Sequence, residues 1–319
     1  MSIINHQRVL ITGVAGFIGS YLAKKIVSDG LQVTGIDNLV RGKMENIQNL
    51  LQCENFSFTK GDILDKCLIK QKTRDIDVIF HEAALIDVTE SMQNPSLYEK
   101  NNVFGINNVL EAARINNVKR FVFASSCAVY GKQLILPIKE DASLMPLSPY
   151  AETKIQGEKL CKKYYEDYGI HSVILRYFNV YGSSQIPSPY CGVITKFIDN
   201  AVKDEPLSIY GNGHQTRDFI YVDDVCQANI LAAKEKKAED ETFNIGSGNI
   251  STINDLASTI LSLIDKNDLE IIHTPSRKGD ITHSQATIEK AKFILGFKPR
   301  YDLNSGLKEL LFNPQYLLS

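Results

Sequence analysis

Short apolar runs alternating with helical patterns, a glycine turn directly after the first run and an acid closing the second predict an α/β fold. The expected architecture is a doubly wound parallel sheet followed by a smaller α/β lobe. The β-type runs fall at 8–12, 33–36, 56–59, 78–80, 121–124 and 172–175. Helical patterns between them supply the crossovers that parallel strands need. Around 181–190 the alternation gives way to Tyr-Gly-Ser-Ser-Gln-Ile-Pro-Ser-Pro-Tyr, loop chemistry that suits a boundary between lobes. One domain is therefore expected over 1–180 and a second lobe over 181–319, with the chain crossing back to the first around 217–247. The second lobe has mixed helices, a turn at Gly211-Asn212-Gly213 and a strand over 243–245.

The first run continues as Thr12-Gly13-Val14-Ala15-Gly16-Phe17-Ile18-Gly19-Ser20, which is strand, glycine turn and helix start. Gly13 permits the tight turn, Gly16 lets the backbone approach a pyrophosphate at the helix N-terminus, and Gly19 lets helix and strand pack closely. Such a turn after a first strand is a Rossmann-type dinucleotide signature. About twenty residues on, the second run ends in Asp37-Asn38. Asp37 is placed to accept from the adenosine ribose, and its charge repels a 2′-phosphate, which favours NAD over NADP. The alternative is a turn acid after a strand. Arg41 is the nearby cation that could accommodate such a phosphate.

Further on, Ser148-Pro149-Tyr150-Ala151-Glu152-Thr153-Lys154 sets a phenol and an ammonium one helical turn apart. Ser148 reads as an N-cap, Pro149 as the first helical residue and Gly169 as the stop. Tyr150 then sits in the first turn, where the helix dipole favours a phenolate. With the charges roughly 6 Å apart and an effective dielectric of about 20, Coulomb's law gives about 3 kcal/mol, enough to bring a phenol from near 10 to about 8. Spacing alone leaves open an exposed tyrosine beside a solvated lysine. Tyr21 and Lys25 repeat the pattern on the first helix.

Composition narrows the function classes. At 319 residues, 44% hydrophobic and 23% charged, the chain is of ordinary soluble type, long enough for two lobes. A net charge of -2 gives no reason to expect nucleic acid or an anionic membrane as partner. No signal-peptide region or membrane-length apolar stretch is visible, so a cytoplasmic location is expected. The six cysteines form no CxxC pair and the histidines show no ligand spacing, so no metal site is expected.

With turn, acid and Tyr150/Lys154 in this order, the chain resembles the extended short-chain dehydrogenase/reductases. Within them it is similar to the nucleotide-sugar 4-epimerases typified by UDP-glucose 4-epimerase. The segments carrying the likeness run nearly end to end: Gly61-Asp62-Ile63, His81-Glu82-Ala83-Ala84, Asn101-Asn102-Val103, Ser125-Ser126-Cys127-Ala128-Val129-Tyr130-Gly131, Arg176-Tyr177-Phe178-Asn179-Val180-Tyr181-Gly182, Arg217-Asp218-Phe219 and Asn244-Ile245-Gly246. Sister dehydratases carry an acid pair where this chain has Cys127 and Ala128, and sister decarboxylases carry glutamate at the nearer position. Neither residue here delivers the extra proton that elimination needs.

The resemblance implies that Tyr150 is the base on a sugar 4-hydroxyl, that Lys154 lowers its pKa and binds the nicotinamide ribose, and that Ser126 relays the proton. It implies adenine contacts at Asp62 and Ile63, and places Ala83, Ala84, Leu85, Asn101 and Tyr177 around the rest of NAD. Arg217 and Arg277 match arginines that hold a diphosphate, Asn179 a diphosphate donor and Tyr210 an aromatic stacked on uracil. Asp280 and Ser284 fall in the stretch beside the sugar, Ser284 near its 2-substituent. A tyrosine there restricts the pocket to unmodified hexoses; serine leaves room for an acetamido group. The implied activity is reversible, NAD-dependent C4 epimerisation of UDP-glucose and UDP-galactose, extended by Ser284 to UDP-GlcNAc and UDP-GalNAc. Alternatives are an oxidoreductase with net cofactor turnover and a 4-epimerase of UDP-glucuronate, the latter disfavoured because 185–191 offers no cation for a carboxylate. A homodimer is implied through helices around 101–116 and 150–168.

Overall fold

The computed structural model describes residues 8–183, 192–276 and 281–312. Six strands alternate with helices in the first half: β1 (Arg8–Thr12), α1 (Phe17–Ser28), β2 (Gln32–Asp37), β3 (Phe56–Lys60), α2 (Lys66–Lys72), β4 (Val78–His81), α3 (Val88–Gln93), α4 (Pro95–Tyr98), α5 (Gly105–Ile115), β5 (Arg120–Ser126), α6 (Pro149–Tyr168) and β6 (Ser172–Tyr177). A π-helical turn, Glu99–Phe104, joins α4 to α5. The second half holds β7 (Asn179–Tyr181), α7 (Val193–Val202), β8 (Leu207–Tyr210), β9 (Thr216–Arg217), β10 (Phe219–Tyr221), α8 (Val222–Lys234), β11 (Thr242–Ile245), β12 (Ser251–Thr252), α9 (Ile253–Leu263), β13 (Ile271–Thr274) and α10 (Leu303–Phe312).

The main sheet has the order β11-β6-β5-β4-β1-β2-β3. Every pairing in it is parallel. β11 leaves the second half to pair with β6, Phe243 opposite Leu175. The other pairs are small: β7 with β10, β8 with β13, and β9 with β12.

Alternation along the strands divides the core. Val9, Ile11, Val122 and Ala124 face one cluster, which continues into α1, α8 and the second half. Leu10, Ile79, Phe121 and Phe123 face the other, against Val109, Leu110, Cys161 and Tyr164 of α5 and α6. Burying a leucine or phenylalanine fully contributes about 1.5–3 kcal/mol, so a register slip that exchanged the faces would be costly.

α6 forms as its sequence predicts. The Ser148 hydroxyl accepts from Ala151 N at 3.2 Å, Pro149 takes the first turn, and Gly169 ends the helix in the left-handed region at φ 71°. These ends fix the rotation of Tyr150 and Lys154 toward β5.

Candidate active site

The order of the sheet reverses between β1 and β4, and a crevice outside the strand ends at such a point is where α/β proteins bind ligands. A cleft of about 420 Å³ opens there. Ten predicted cofactor residues line it: Gly13, Gly16, Asp37, Asn38, Asp62, Ile63, Ala83, Ala84, Leu85 and Asn101. Gly13 has φ +73°, and a Cβ on it would stand 2.7 Å from Ala83 N. Phe17, Ile18 and Gly19 form the first turn of α1, which starts at Gly16 with no side-chain cap and no acid in that turn. Its amides are left to an anion from outside the chain.

Asp37 is buried, accepting from Ala15 N at 3.0 Å and Leu39 N at 2.8 Å. Burial raises its pKa, and these backbone donors oppose the rise. Asn38 donates to Asp62 at 2.9 Å across the strand ends. Arg41 pairs across the cleft with Glu90 at 2.5 Å, and Tyr98 also donates to Glu90, at 2.9 Å. Its charge is thus committed to a carboxylate instead of awaiting a phosphate. Glycine turn, uncapped helix and buried acid together fit NAD. Asp37→Asn removes the charge and keeps an acceptor; we expect discrimination between NAD and NADP to fall about tenfold or more, since a bond to a charged group contributes about 1.5–3 kcal/mol. Titration of both nucleotides measures it, and unchanged discrimination would remove Asp37 from the selection.

Ser126 closes β5 opposite Tyr177 in register, Tyr150 stands in the first turn of α6, and Lys154 follows one turn later. All three reach the end of β5, but the electrostatics differ from the expectation. Lys154 Nζ donates to Ala124 O at 2.7 Å and lies 5.9 Å from the Tyr150 ring centre. Burial brings the lysine down to about 8 against the pull of Glu82 and Glu158. Burial also pushes the Tyr150 phenol up to about 12, with the Ser126 hydroxyl acting the other way. The Coulomb expectation of about 8 for the phenol is therefore corrected. Both groups have left water, and loss of hydration outweighs an attraction whose cation is turned to a carbonyl.

Around this set, His81 bonds Thr12 at 2.9 Å, lies against Phe121 and Phe123 and is held near 3 by burial, so it stays neutral. Desolvation pushes the Cys127 thiol up to about 12, so it stays protonated near neutrality. Asn102 was not singled out from sequence. It receives Leu85 N and donates to Leu85 O, both at 2.8 Å, and bonds Thr153 at 3.0 Å, tying the loop after β4 to α6. The second tyrosine–lysine copy packs elsewhere: Tyr21 bonds Ser183, and Lys25 pairs with Asp223 of α8 at 3.1 Å.

Of the predicted substrate residues, Arg217 lies in β9 and Ser284 follows the bridge that joins Thr216 to His283. Ser284 is buried and its N donates to Thr216 O at 3.2 Å, beside Arg217. The charge of Arg217 is felt at Cys127, just past the end of β5. Asn179 donates its side-chain amide to Asp218 O at 3.0 Å, so one of its two amide hydrogens is committed. Tyr210 closes β8 with its side chain half exposed. Tyr177 bonds Glu82 at 2.9 Å. Arg277 and Asp280, and the stretch 185–191, lie outside the described residues. Among the described residues no cluster of metal-ligating type occurs, and no helix is long and apolar enough to cross a membrane.

Residues 9–246 match the NAD dependent epimerase/dehydratase family. The chain is similar to the UDP-N-acetylglucosamine 4-epimerase of Methanobrevibacter ruminantium M1 in complex with UDP-N-acetylmuramic acid: 39% identity, 97% of this chain and 98% of that one covered, TM-score 0.92. It is also similar to the UDP-glucose 4-epimerase of Thermotoga maritima with UDP-glucose, at 34% identity over 98% of this chain and 100% of that one, TM-score 0.92. A third likeness is to the UDP-glucuronic acid 4-epimerase of Bacillus cereus in complex with UDP-glucuronic acid and NAD, at 34% identity, 98% and 100% coverage and TM-score 0.91.

Proposed function

Because the chain belongs to the NAD-dependent epimerase/dehydratase family, we propose that it interconverts UDP-hexoses at C4, UDP-glucose with UDP-galactose and UDP-GlcNAc with UDP-GalNAc, keeping its NAD throughout. The observation that carries the reading is the convergence of Ser126, Tyr150 and Lys154 on the end of β5, with a half-buried thiol at Cys127 where elimination would need an acid.

When bound, NAD supplies hydride acceptance from C4 and its return, and in its oxidised form a positive charge that favours a phenolate. Tyr150 takes the 4-hydroxyl proton directly or through Ser126 and gives it back, so no proton is lost overall. Lys154 anchors the nicotinamide-side ribose. Arg217 and Arg277 grip the diphosphate, Asn179 adds a donor and Tyr210 stacks on the base; Asp280 borders the sugar. Cations at the diphosphate leave the 4-keto hexose free to turn over between the two transfers. Residues 1–180 supply the cofactor side and the proton-transfer set, and 181–319 most of the UDP side, with the chain crossing back to the first domain around 217–247.

The N-acetylated pair is included because Ser284 is small, and the likeness to an enzyme named for UDP-GlcNAc supports it. Ser284→Tyr should cut turnover of the acetamido sugars about tenfold or more while UDP-glucose stays within roughly threefold, the scale on which pocket groups discriminate. Equal losses on both sugars would refute a role in sugar size. UDP-glucose, UDP-GlcNAc and UDP-glucuronate, incubated with the chain without added NAD and resolved by NMR, test the main reading; absence of any C4 epimer would overturn it. We also propose a homodimer through the helices around 101–116 and 150–168, supported by exposed Phe104, Ile115 and Tyr168. Sedimentation should give twice the chain mass.

A further inference from the structure

Four carboxylates line the cofactor cleft: Asp37, Asp62, Glu82 and Glu90. Three have evident partners near the adenosine side. Asp37 holds the glycine turn, Asp62 accepts from Asn38 and Leu64 N, and Glu90 pairs with Arg41. Glu82 is different. It follows the last residue of β4 at the reversal point of the sheet, and its backbone runs under Gly13. Its side chain is fixed by one bond, Tyr177 Oη to Oε1 at 2.9 Å, and Tyr177 is held in turn by Asn229 Nδ2 at 2.7 Å. No cation stands within ion-pair distance of it among the described residues, yet of the four it is the one whose charge acts on Lys154. It therefore lies at the Lys154 end of the cleft, as a carboxyl group held by Tyr177 with no cation paired to it among the described residues.

We propose that Glu82 sets the redox preference of the cofactor site: its carboxylate favours the oxidised, cationic nicotinamide over the reduced, neutral one. The inference rests on the reading of this cleft as an NAD site. The two forms differ by one hydride, and the ring loses its positive charge when it gains that hydride. An anion held nearby in a partly dehydrated cleft stabilises the cationic form selectively, whereas Lys154 opposes it. A site that must release hydride back to the sugar in every cycle gains from this bias, because it opposes stranding the cofactor in the reduced form.

Burial raises Glu82 to about 7, so the bias is itself titratable. Raising pH through 7 ionises Glu82 and strengthens the preference for the oxidised form. Lowering pH protonates it and weakens that preference. The groups facing it are Tyr177 from β6, Lys154 from α6, Cys226 from α8 and its neighbour His81. Tyr177 and Cys226 are raised well above their usual values and His81 is held near 3, so all three stay neutral across the window; Lys154 begins to discharge near 8.

The test uses the full chain stripped of nucleotide, titrated separately with NAD+ and NADH. The isosteric Glu82→Gln keeps an acceptor for Tyr177 and loses the charge. The ratio of the two affinities should move about tenfold toward NADH in the variant, equivalent to about 30 mV in the bound two-electron couple. Between about pH 7.5 and 5.5 the wild-type ratio should drift toward that of the variant, whose own ratio moves much less. An unchanged ratio in Glu82→Gln, in protein that still epimerises UDP-sugars, would overturn this inference and leave the proposed function standing. A chain that bound neither nucleotide would overturn both.

Discussion

Tyr150→Phe is expected to lower epimerase turnover by about 10² to 10⁴-fold, the scale of a lost general acid–base group, while folding and NAD binding persist. The ring packs with Leu85 and Tyr98 in a small buried cluster, and phenylalanine keeps that packing while removing only the hydroxyl. The partner left behind, the Ser126 hydroxyl, also accepts from Ala128 N at 3.2 Å, so the local turn stays tied. Progress curves with UDP-glucose measure the effect. Activity above about a tenth of wild type would remove Tyr150 as the base. The raised phenol adds a second readout: burial holds Tyr150 up to about 12 in the nucleotide-free chain, so phenolate absorbance should appear at lower pH once NAD is bound. Identical titrations with and without NAD would mean that the bound cation does not activate the phenol.

The second large effect is on stability. Glu158, one turn beyond Lys154 on α6, receives Arg176 of β6 at 2.9 and 2.7 Å and Ser125 at 2.5 Å. Arg176 also bonds Tyr130 at 2.8 Å and Glu140 O at 2.9 Å, and Tyr130 bonds Asn244 of β11 at 2.6 Å. Both charges are nearly inaccessible, and the pair ties β5, α6, β6 and β11 together one turn beyond Lys154. Glu158→Ala strands the guanidinium, a loss of about 3–5 kcal/mol and roughly 5–10 °C in the unfolding midpoint. Replacing both partners, Glu158→Leu with Arg176→Met, should cost less than the single change, because no buried charge is then left alone. A double variant as unstable as Glu158→Ala would show that the contact geometry matters more than the stranded charge.

The strands were legible because parallel strands buried on both faces are written as apolar runs with little interruption. β1 matches its predicted run, and the edges of β2, β5 and β6 extend by one or two residues where polar ends such as Arg120, Ser126 and Arg176 join the ladder. The cofactor turn was legible because its chemistry is local, with glycine positions and an acid at set spacing. For Tyr150 the place in the first turn of its helix was legible and the titration was not. Spacing gives the distance between two charges but not how far both have been taken from water, nor that Lys154 turns to Ala124 O. Arg176 and Asp218 were visible inside motifs that suggested function. The structure shows each making structural bonds: Asp218 is fully buried and accepts from Ser247, Gly248 and Ala286, joining loops far apart in the chain. Such long-range partners leave no periodic mark. Glu82 and Asn102 escaped for the same reason, since their significance lies in Tyr177, Leu85 and Thr153, which are distant in sequence.

The most direct test of the account follows the hydrogen at C4. UDP-glucose carrying deuterium at C4, incubated with the purified chain and no added NAD, should yield UDP-galactose that retains the deuterium at C4, with none released to water. Deuterium lost to solvent, deuterium collected on added NAD, or a 4-keto-6-deoxy product would contradict a reversible transfer that begins and ends at that carbon.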